Sequence, residues 1–442
     1  MNISQNSPAF NLKAVLQETG IRPHTLRAWE RRYGLPQPER TSGGHRLYSQ
    51  RDVDIVKWLM SRQEEGLTIS RAVELWLNLV NKGENPLDLA TYHTEDYPIY
   101  TDQGATLTNI RQEWINCCLN FDETAAERVL AQAFAIYPVE MVCLEILQAG
   151  VAHIGNLWYQ NKASVQQEHF ISSLTVKRLN ALLAATPIPN RIGRILVAAP
   201  PREEHAIPIL LLSLLLRYRG WKVIYLGANV PVARLESTVD LVKPDLVVLA
   251  AQQLSTVASL LEVTQILHRK GVPVAFGGLM FNRAPSLRKR IPGYFLGESL
   301  EGAVQVINQI MTFNSPIPNP ESSSNVYKGT LSHYRSQYPL IEMDAWQAIS
   351  ENGIPYEYVA DTNTRLSEAI IAAMNLGEIE YVNTEIDWTH QLICNYGIST
   401  DWQVEYFTAY RCAVDKHLNG AGSAIVECLN NAITRFEESP CM

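Results

Sequence analysis

The sequence lacks the short cysteine spacing that small metal sites and redox pairs require. Its seven cysteines include no C-x-x-C pair. We therefore expect reduced, mostly buried thiols in a cytoplasmic protein. The cysteines are Cys117, Cys118, Cys143, Cys394, Cys412, Cys428 and Cys441.

Long hydrophobic runs are also absent, as is an amino-terminal secretion signal. The longest apolar run, Ile207 to Leu216, is interrupted by Pro208 and Ser213 and closed by Arg217. It is well short of the ~20 residues that a membrane span needs. The run predicts a buried helix in a protein without a membrane partner.

The chain is too long for one hydrophobic core, because single cores stop growing near ~250 residues. Two stretches rich in turn formers, 82–106 and 312–329, interrupt the apolar patterns of the 442 residues and predict linkers. We expect four domains. Their ranges are 8–80, 107–187, 190–312 and 330–442.

The third range alternates short β-branched runs with stretches of helical length, which predicts a parallel, doubly wound, flavodoxin-like (Rossmann-like) sheet. Ligands of such sheets bind outside the carboxyl ends of the strands. The second and fourth ranges have helical patterns throughout, which makes the fold class multidomain α and α/β. The predicted strands are Arg194 to Ala199, Lys222 to Leu226, Leu246 to Ala250, Val272 to Phe276 and Tyr294 to Leu296.

The net charge of −8 disfavours a nucleic-acid partner when it is averaged over the chain. The charge is unevenly distributed, however. Seven arginines lie between Arg22 and Arg51, against only Glu30 and Glu39. A local cationic excess of this kind is typical of a surface that binds phosphates.

The same segment has the pattern of a winged helix-turn-helix. A short helix ends at Gly20, and a second helix starts near Pro23 and carries Arg27 and Arg31 one turn apart. Guanidinium groups on one helix face suit guanine edges and phosphates. Residues 40–48 then predict a hairpin wing with a tight glycine turn, in which Tyr48 is expected to contact a phosphate.

Residues 19–48, TGIRPHTLRAWERRYGLPQPERTSGGHRLY, closely resemble the MerR family of winged helix-turn-helix regulators. The resemblance implies binding to a double-stranded DNA operator by a homo-oligomer, at least a dimer, with RNA polymerase as a further expected partner. The predicted DNA-binding residues are Arg22, Thr25, Arg27, Arg31, Arg32, Tyr33, Arg40, His45, Arg46 and Tyr48.

In the second range, Trp158 precedes Glu168 and His169 by about three helical turns, so the three side chains can share one surface. A tryptophan beside a carboxylate and an imidazole suits a large planar ligand. The composition alone favours a core tryptophan next to a solvated pair.

A second group of candidates follows the predicted strands of the sheet. His205, preceded by Glu203 and Glu204, comes after the first strand, where a carboxylate can orient the imidazole for a metal. Small residues that would admit a bulky ligand follow the other strands. They are Gly227, Ser255, Gly277 and Gly278.

Residues 107–312 as a whole resemble the cobalamin-binding module, a helical cap over a Rossmann-like domain, found in methionine synthase and in light-sensing MerR-type repressors of carotenoid genes. The resemblance implies that Trp158, Glu168 and His169 cover the adenosyl face of the cofactor. It implies that His205 is the lower cobalt ligand and that Gly277 and Gly278 accommodate the nucleotide tail. Adenosylcobalamin would then assemble a DNA-binding oligomer, and light would release it.

Three departures from that pattern leave other readings open. Pro208 replaces a glycine of the loop, Ala250 stands where a serine is expected, and Tyr159 replaces a histidine that can capture cobalt. The altered loop is compatible with a bilin in the same fold as an alternative to cobalamin. Pro208 and Ala250 favour a cofactor-free regulator controlled by a protein partner, whereas the retained His205, Trp158 and Glu168 disfavour it. A corrinoid enzyme is the least favoured reading, because no convincing set of catalytic acids and bases is present.

The range 330–442 is rich in aromatic residues at helical spacing, which is more typical of a core than of a cofactor site. The cobalamin regulators that the chain resembles lack this extension. We expect oligomerisation or partner binding from it, and a second sensor remains an alternative.

Overall fold

The computed structural model describes residues 10–41, 44, 46–64, 67–81, 86–89, 106–313, 317–320, 326–350, 356–438 and 440–441. The chain forms two compact units, 1–103 and 104–442, which are described separately. The predicted linker 82–106 falls largely outside the described residues, and the linker 312–329 does so in part. Gly43 and His45 of the predicted wing also lie outside them.

The first unit is a small helical domain with a three-stranded antiparallel sheet in the order β1-β3-β2. Asn11 caps the first helix, and Gly20 ends it in a left-handed conformation. Pro23 then opens the second helix at a position where its missing N–H costs nothing. The elements are β1 (Phe10–Asn11), α1 (Leu12–Thr19), α2 (Pro23–Tyr33), β2 (Glu39–Arg40), β3 (Arg46–Tyr48), α3 (Gln50–Glu64), α4 (Ile69–Asn81) and α5 (Pro86–Leu89).

The second unit begins with a helical bundle. Its third helix is continued by a π-helical turn, Cys143–Gln148, before it resumes an α-helical course. Ser164 and Gln167 form a capping box at the start of the last helix. The helices are α6 (Leu107–Leu119), α7 (Glu123–Ile136), α8 (Val139–Val142), α9 (Ala149–Tyr159) and α10 (Val165–Ala184).

A five-stranded parallel sheet follows, in the order β5-β4-β6-β7-β8. The doubly wound fold predicted from the sequence is therefore confirmed, and the run from Ile207 lies in a buried helix as predicted. The elements are β4 (Arg194–Ala198), α11 (Ala206–Tyr218), β5 (Lys222–Gly227), α12 (Leu235–Val242), β6 (Leu246–Ala250), α13 (Leu254–Arg269), β7 (Val274–Gly277), α14 (Leu279–Arg283), β8 (Tyr294–Phe295) and α15 (Leu300–Phe313).

The remaining residues form a helical domain that packs against the sheet domain. Its elements are α16 (Lys328–Ile349), α17 (Tyr356–Leu376), α18 (Val382–Asn395), α19 (Thr400–Leu418) and α20 (Ser423–Glu438). The Glu385 carboxylate accepts a hydrogen bond of 3.1 Å from the Leu254 N–H, so α18 caps the start of α13.

Each face of the sheet is buried against a different helical layer. Leu246 and Val248 belong to the core shared with the bundle, whereas Val247 and Leu249 belong to the core shared with the carboxyl-terminal helices. A parallel sheet covered on both faces needs apolar residues at consecutive positions, and β6 has them. Among the described residues, no helix has the length and apolarity to cross a membrane.

The prediction that all thiols are reduced is wrong for one pair. Cys394 and Cys441 form a disulfide, whereas the other five cysteines are free. The two partners are 47 positions apart, so no local spacing in the sequence indicates the pair.

Candidate functional site

The helix α2 has an exposed side with arginines and a buried side with apolar residues. Arg27 and Arg31 are exposed, whereas Leu26 and Trp29 are buried in the core of the first unit. The apolar side fixes the helix, and its cationic side faces solvent. Three further predicted contacts, Arg22, Arg32 and Arg40, are exposed as well.

Glu30 of the same helix holds the strand that leaves the wing. Its carboxylate accepts hydrogen bonds from Arg46 Nε at 2.8 Å and from the Tyr48 hydroxyl at 2.6 Å. Burial and the Glu30 carboxylate raise the pKa of Tyr48. Tyr48 is fully buried, which corrects the expected phosphate contact: this tyrosine joins the wing to α2.

Two other predicted DNA contacts, Tyr33 and Thr25, are only half-exposed. The hydroxyl of Tyr33 lies 3.0 Å from Ser70 Oγ, which ties the end of α2 to α4. The Arg32 guanidinium lies 5.4 Å from the centroid of the Tyr33 ring. Thr25 is half-buried in the first turn of α2.

A buried carboxylate organises the carboxyl edge of the parallel sheet. Glu203 Oε1 accepts the His205 backbone N–H at 3.0 Å and lies 2.6 Å from His205 Nδ1. Its Oε2 accepts 2.7 Å hydrogen bonds from the Gln252 N–H and from the Thr256 hydroxyl. The side chain is 1% exposed, so these four contacts replace its hydration.

The two partners shift each other's titration. Burial acts to raise the pKa of Glu203, but the hydrogen bonds from His205, Gln252 and Thr256 outweigh it, and the pKa is lowered. The pKa of His205 is raised, first by the hydrogen bond to Glu203, against the effect of burial. The charge of Glu168 in the cap also raises the pKa of His205.

Only one ring nitrogen of His205 is engaged by Glu203. Because Nδ1 faces a carboxylate, it carries the ring proton in the neutral form, and Nε2 is the nitrogen with the free lone pair. The side chain is 53% exposed. Residues 203–205 thus present an oriented imidazole at the edge where ligands of doubly wound sheets bind.

The cap residues lie on two helices, which corrects the expectation of three continuous helical turns. Trp158 is near the end of α9, and Glu168 is in the first turn of α10 after a five-residue connection. Both therefore lie at the same end of the helical hairpin. Glu168 Oε1 accepts a 2.7 Å hydrogen bond from Ser172, and the side chain of His169 is 76% exposed.

The carboxyl-terminal domain contributes a side chain to this region that the sequence analysis missed. The ring centroid of Trp388 lies 6.3 Å from that of Trp158 and 5.4 Å from that of Tyr159. The Tyr159 hydroxyl donates to the Trp388 carbonyl at 3.2 Å. The Arg283 guanidinium lies 5.8 Å from the same indole. No local pattern signals this contact, which joins residues 229 positions apart.

The small residues of the predicted site have different roles. Gly227 has a φ of +88°, and a Cβ there would meet open space. Gly278 has a φ of +123°, and a Cβ would overlap the Ala251 carbonyl oxygen, so glycine is required for backbone packing. Gly277 ends β7, and Ser255 is buried in the first turn of α13.

Pro208 does not distort the loop that follows β4. It is the third residue of α11, whose first-turn N–H groups have no partner within a helix. The backbone donor that proline lacks is therefore not missed by the helix.

Comparison with known proteins gives three matched ranges. Residues 10–78 match the MerR HTH family regulatory proteins, and residues 110–183 and 193–306 each match a B12-binding domain. The carboxyl-terminal helical domain lies beyond these ranges.

Two characterised relatives come from Myxococcus xanthus. The HTH-type transcriptional repressor CarH is 31% identical over 284 residues, which cover 61% of this chain and 88% of CarH. The repressor CarA is 32% identical over 312 residues, 68% of this chain and 97% of CarA. A monomethylamine corrinoid protein from Methanosarcina barkeri superposes on 47% of this chain and on all of its own, with a TM-score of 0.40 and 16% identity.

Proposed function

Because this chain belongs to the MerR-type transcriptional regulators with B12-binding domains, the family of CarH and CarA, we propose that cobalamin state controls its hold on DNA, with light as the signal. Cobalamin is the cofactor, since residues 110–183 and 193–306 both match B12-binding domains. When bound, it supplies a cobalt–carbon bond that light can break.

The observation that carries this proposal is the His205–Glu203 pair. A metal-binding histidine is typically oriented by a carboxylate on its other nitrogen, and Glu203 has that place at 2.6 Å from Nδ1. Nε2 of His205 would therefore be the nitrogen that holds the metal of the cofactor. The donor set fits the cofactor that the comparisons identify.

The surroundings of His205 also fit a large, mainly apolar ring. Leu226 and Leu279 are 38% and 45% exposed where β5 ends and α14 begins, on either side of the loop. Both side chains are at the carboxyl edge of the sheet, where a bound ring would cover them. On the cap side, Trp158 and Glu168 would face the opposite side of the ring.

The first unit would bind the operator DNA. Arg27 and Arg31 would enter the major groove, and Arg40 and Arg46 would flank the backbone. Because MerR-type heads read two half-sites, the regulator would act as a homo-oligomer in the cytoplasm, and RNA polymerase would be the partner it excludes or recruits.

The test uses the full chain purified in darkness. With adenosylcobalamin, we expect a corrinoid absorption spectrum, a larger assembly and operator binding, and we expect illumination to reverse the last two. His205→Ala should alter the spectrum and weaken cofactor binding, while His153→Ala, an exposed histidine of α9, should not. Identical spectra and stoichiometry in His205→Ala and the parent protein would refute the ligand assignment, and operator binding indifferent to cofactor and light would refute the control mechanism.

A further inference from the structure

The disulfide between Cys394 and Cys441 stands apart from the cofactor site. Cys394 lies in the last turn of α18, and Cys441 lies in the segment that follows α20. The Cys441 N–H donates to Thr400 Oγ1 at 2.7 Å, which holds that segment across the start of α19. Disulfides inside the cytoplasm are rare and mostly serve redox sensing.

Each sulfur has a polar neighbour suited to the reduced state. His390 Nδ1 lies 2.7 Å from Gln403 Oε1 and so carries the ring proton, which leaves Nε2 free to accept one. Cys394 Sγ lies beside the ring, 3.8 Å from Nε2 and 4.0 Å from Nδ1. Gln403 Nε2 donates to Cys441 Sγ at 3.6 Å. His390 is 7% exposed and Gln403 is 1% exposed, so both are held in place.

This arrangement is chemically useful only if the bond opens and closes. The thiolate is the reactive form of cysteine, and an adjacent imidazole promotes it by taking the thiol proton. A permanent disulfide has no proton to give. The His390 ring is stacked on Phe436 with centroids 4.4 Å apart, which holds the imidazole in place beside Cys394.

The residues next to Cys394 contact the cap. Asn395 Nδ2 donates to the Tyr159 carbonyl at 2.9 Å, and the Tyr396 hydroxyl donates to the Trp158 carbonyl at 3.2 Å. Trp388, two turns earlier in α18, packs on both cap rings. Cys394 therefore lies directly beside the contact between the carboxyl-terminal domain and the cap, so opening or closing its disulfide acts at that contact.

We propose that Cys394 and Cys441 are a reversible thiol–disulfide pair, through which low-molecular-weight disulfides such as oxidised glutathione fix α18 against the cap. In the reaction RSSR + Cys394–SH + Cys441–SH, the Cys394 thiolate first attacks RSSR. It forms a mixed disulfide and expels RS⁻, which takes up the proton held by His390. Cys441, deprotonated in turn, displaces the second RS⁻, which gives two RSH and the intramolecular disulfide.

The consequence is control of the cap by redox state. Oxidation closes a loop of 47 residues onto the end of α18 and holds Asn395 and Tyr396 in their contacts. Reduction frees the segment after α20 and loosens those contacts. Any effect on cofactor affinity rests on the proposed function, whereas the thiol chemistry and the motion of α18 do not.

The first test counts thiols in the full chain without cobalamin, after equilibration in a series of glutathione redox buffers and denaturation. We expect five thiols under oxidising and seven under reducing conditions. Cys441→Ser cannot resolve the mixed disulfide, so it should titrate six thiols when reduced and five when oxidised, with one glutathione bound. Cys412→Ser, which removes the exposed free cysteine, should still lose two. The proposal would be overturned if the parent protein kept seven thiols in every redox buffer. It would also be overturned if the oxidised product were a disulfide-linked dimer that Cys412→Ser abolishes.

The second test measures amide hydrogen exchange in residues 386–398 and 156–160 in both redox states. We expect exchange to be several-fold faster after reduction. Cys441→Ser, which cannot close the intramolecular disulfide, should exchange at the faster rate under both conditions. Equal exchange in oxidised and reduced parent protein would overturn the coupling to the cap. So would tight binding of one zinc ion by the reduced protein that blocks oxidation, because His390, Cys394 and Cys441 would then be metal ligands.

The role of His390 has its own readout. In His390→Phe, which keeps a ring for stacking on Phe436, oxidation at neutral pH should slow by about tenfold and should regain speed as the pH rises. A rate and pH profile unchanged from the parent protein would show that His390 takes no part in the exchange.

Discussion

Glu203 fixes the positions of individual atoms at the carboxyl edge of the parallel sheet, where the cofactor would bind. A carboxylate that is 1% exposed stays charged only if hydrogen bonds replace its water, and Glu203 receives them from the loops after β4 and β6. The same carboxylate fixes the tautomer of His205. One residue therefore links the sheet to the nitrogen that would hold the metal.

Removal of the charge of Glu203 should change the pH dependence of stability. The lowered pKa of Glu203 means that its contribution is present above its ordinary value of 4.5 and is lost as the pH falls through the lowered pKa. The raised pKa of His205 means that its contribution is present below 6.5 and is lost as the pH rises through the raised pKa. The stability gap between the parent protein and Glu203→Gln should be largest between these two values.

Denaturant unfolding at a series of pH values measures this gap. Glu204→Gln is the matched control, because Glu204 is exposed and accepts only the Asn229 amide among the hydrogen bonds described. A gap that is flat from pH 4 to pH 9, or one that Glu204→Gln reproduces, would contradict the coupled pair. Imidazole NMR should also show His205 titrating closer to 6.5 in Glu203→Gln.

At the scale of elements, the recognition helix and the wing form one unit. Glu30 ties Arg46 and Tyr48 to α2, so the exposed arginines of helix and hairpin keep a fixed separation. A fixed separation matters because base contacts specify a site only when phosphate contacts hold the register.

Truncation of one arginine of α2 should therefore weaken operator binding without unfolding the domain. We expect Arg27→Ala to lose about 1–3 kcal/mol of binding free energy and to relax preference among operator variants, if Arg27 contacts a base. Arg269→Ala, an exposed arginine of α13, is the charge-matched control. Titration of labelled DNA measures both. Parent-like affinity in Arg27→Ala would exclude this side chain from the interface.

The helix α18 is the element through which the carboxyl-terminal domain contacts the cap. Two ring contacts of Trp388, each worth about 0.5–1.5 kcal/mol, should make Trp388→Ala less stable by about 1–3 kcal/mol. The variant should also be cut faster by trypsin at Lys162, an exposed residue of the connection between α9 and α10. Trp402→Ala, which loses a stack on Tyr406 inside the same domain, should leave cleavage at Lys162 unchanged. Equal cleavage rates in the two variants would argue against docking.

The elements that the sequence predicted well are those whose signals are local. The five strands follow from β-branched runs between turn formers, and their ends differ from the predictions by two residues at most. Glu203 and His205 are neighbours, so their pairing was within reach of the sequence. Trp388 and the partner of Cys394 were not, because their contacts join distant positions through tertiary packing alone. The burial of Tyr48 was missed for the same reason: Glu30, its acceptor, is 18 positions away.

On the scale of the whole molecule, charge is divided between the cationic segment 22–51 and an anionic remainder. The chain carries −8 overall, while residues 22–51 hold seven arginines against two glutamates. An acidic body repels DNA at long range, so binding depends on short-range phosphate contacts of the head. Each phosphate contact releases counterions from the DNA, and added salt opposes that release, so salt weakens binding through these contacts.

Operator affinity should accordingly fall steeply with salt, in proportion to the number of phosphates that the head neutralises. Each phosphate contact contributes a slope of about −0.9 to a plot of log affinity against log salt concentration. Arg40→Ala, an exposed residue of β2, should reduce the magnitude of the slope by about 0.9 for each subunit bound, because its expected target is a phosphate. The measurement is operator titration of the cofactor-loaded protein between roughly 50 and 200 mM salt. Arg269→Ala should leave the slope unchanged, and an unchanged slope in Arg40→Ala would place the wing away from the DNA backbone.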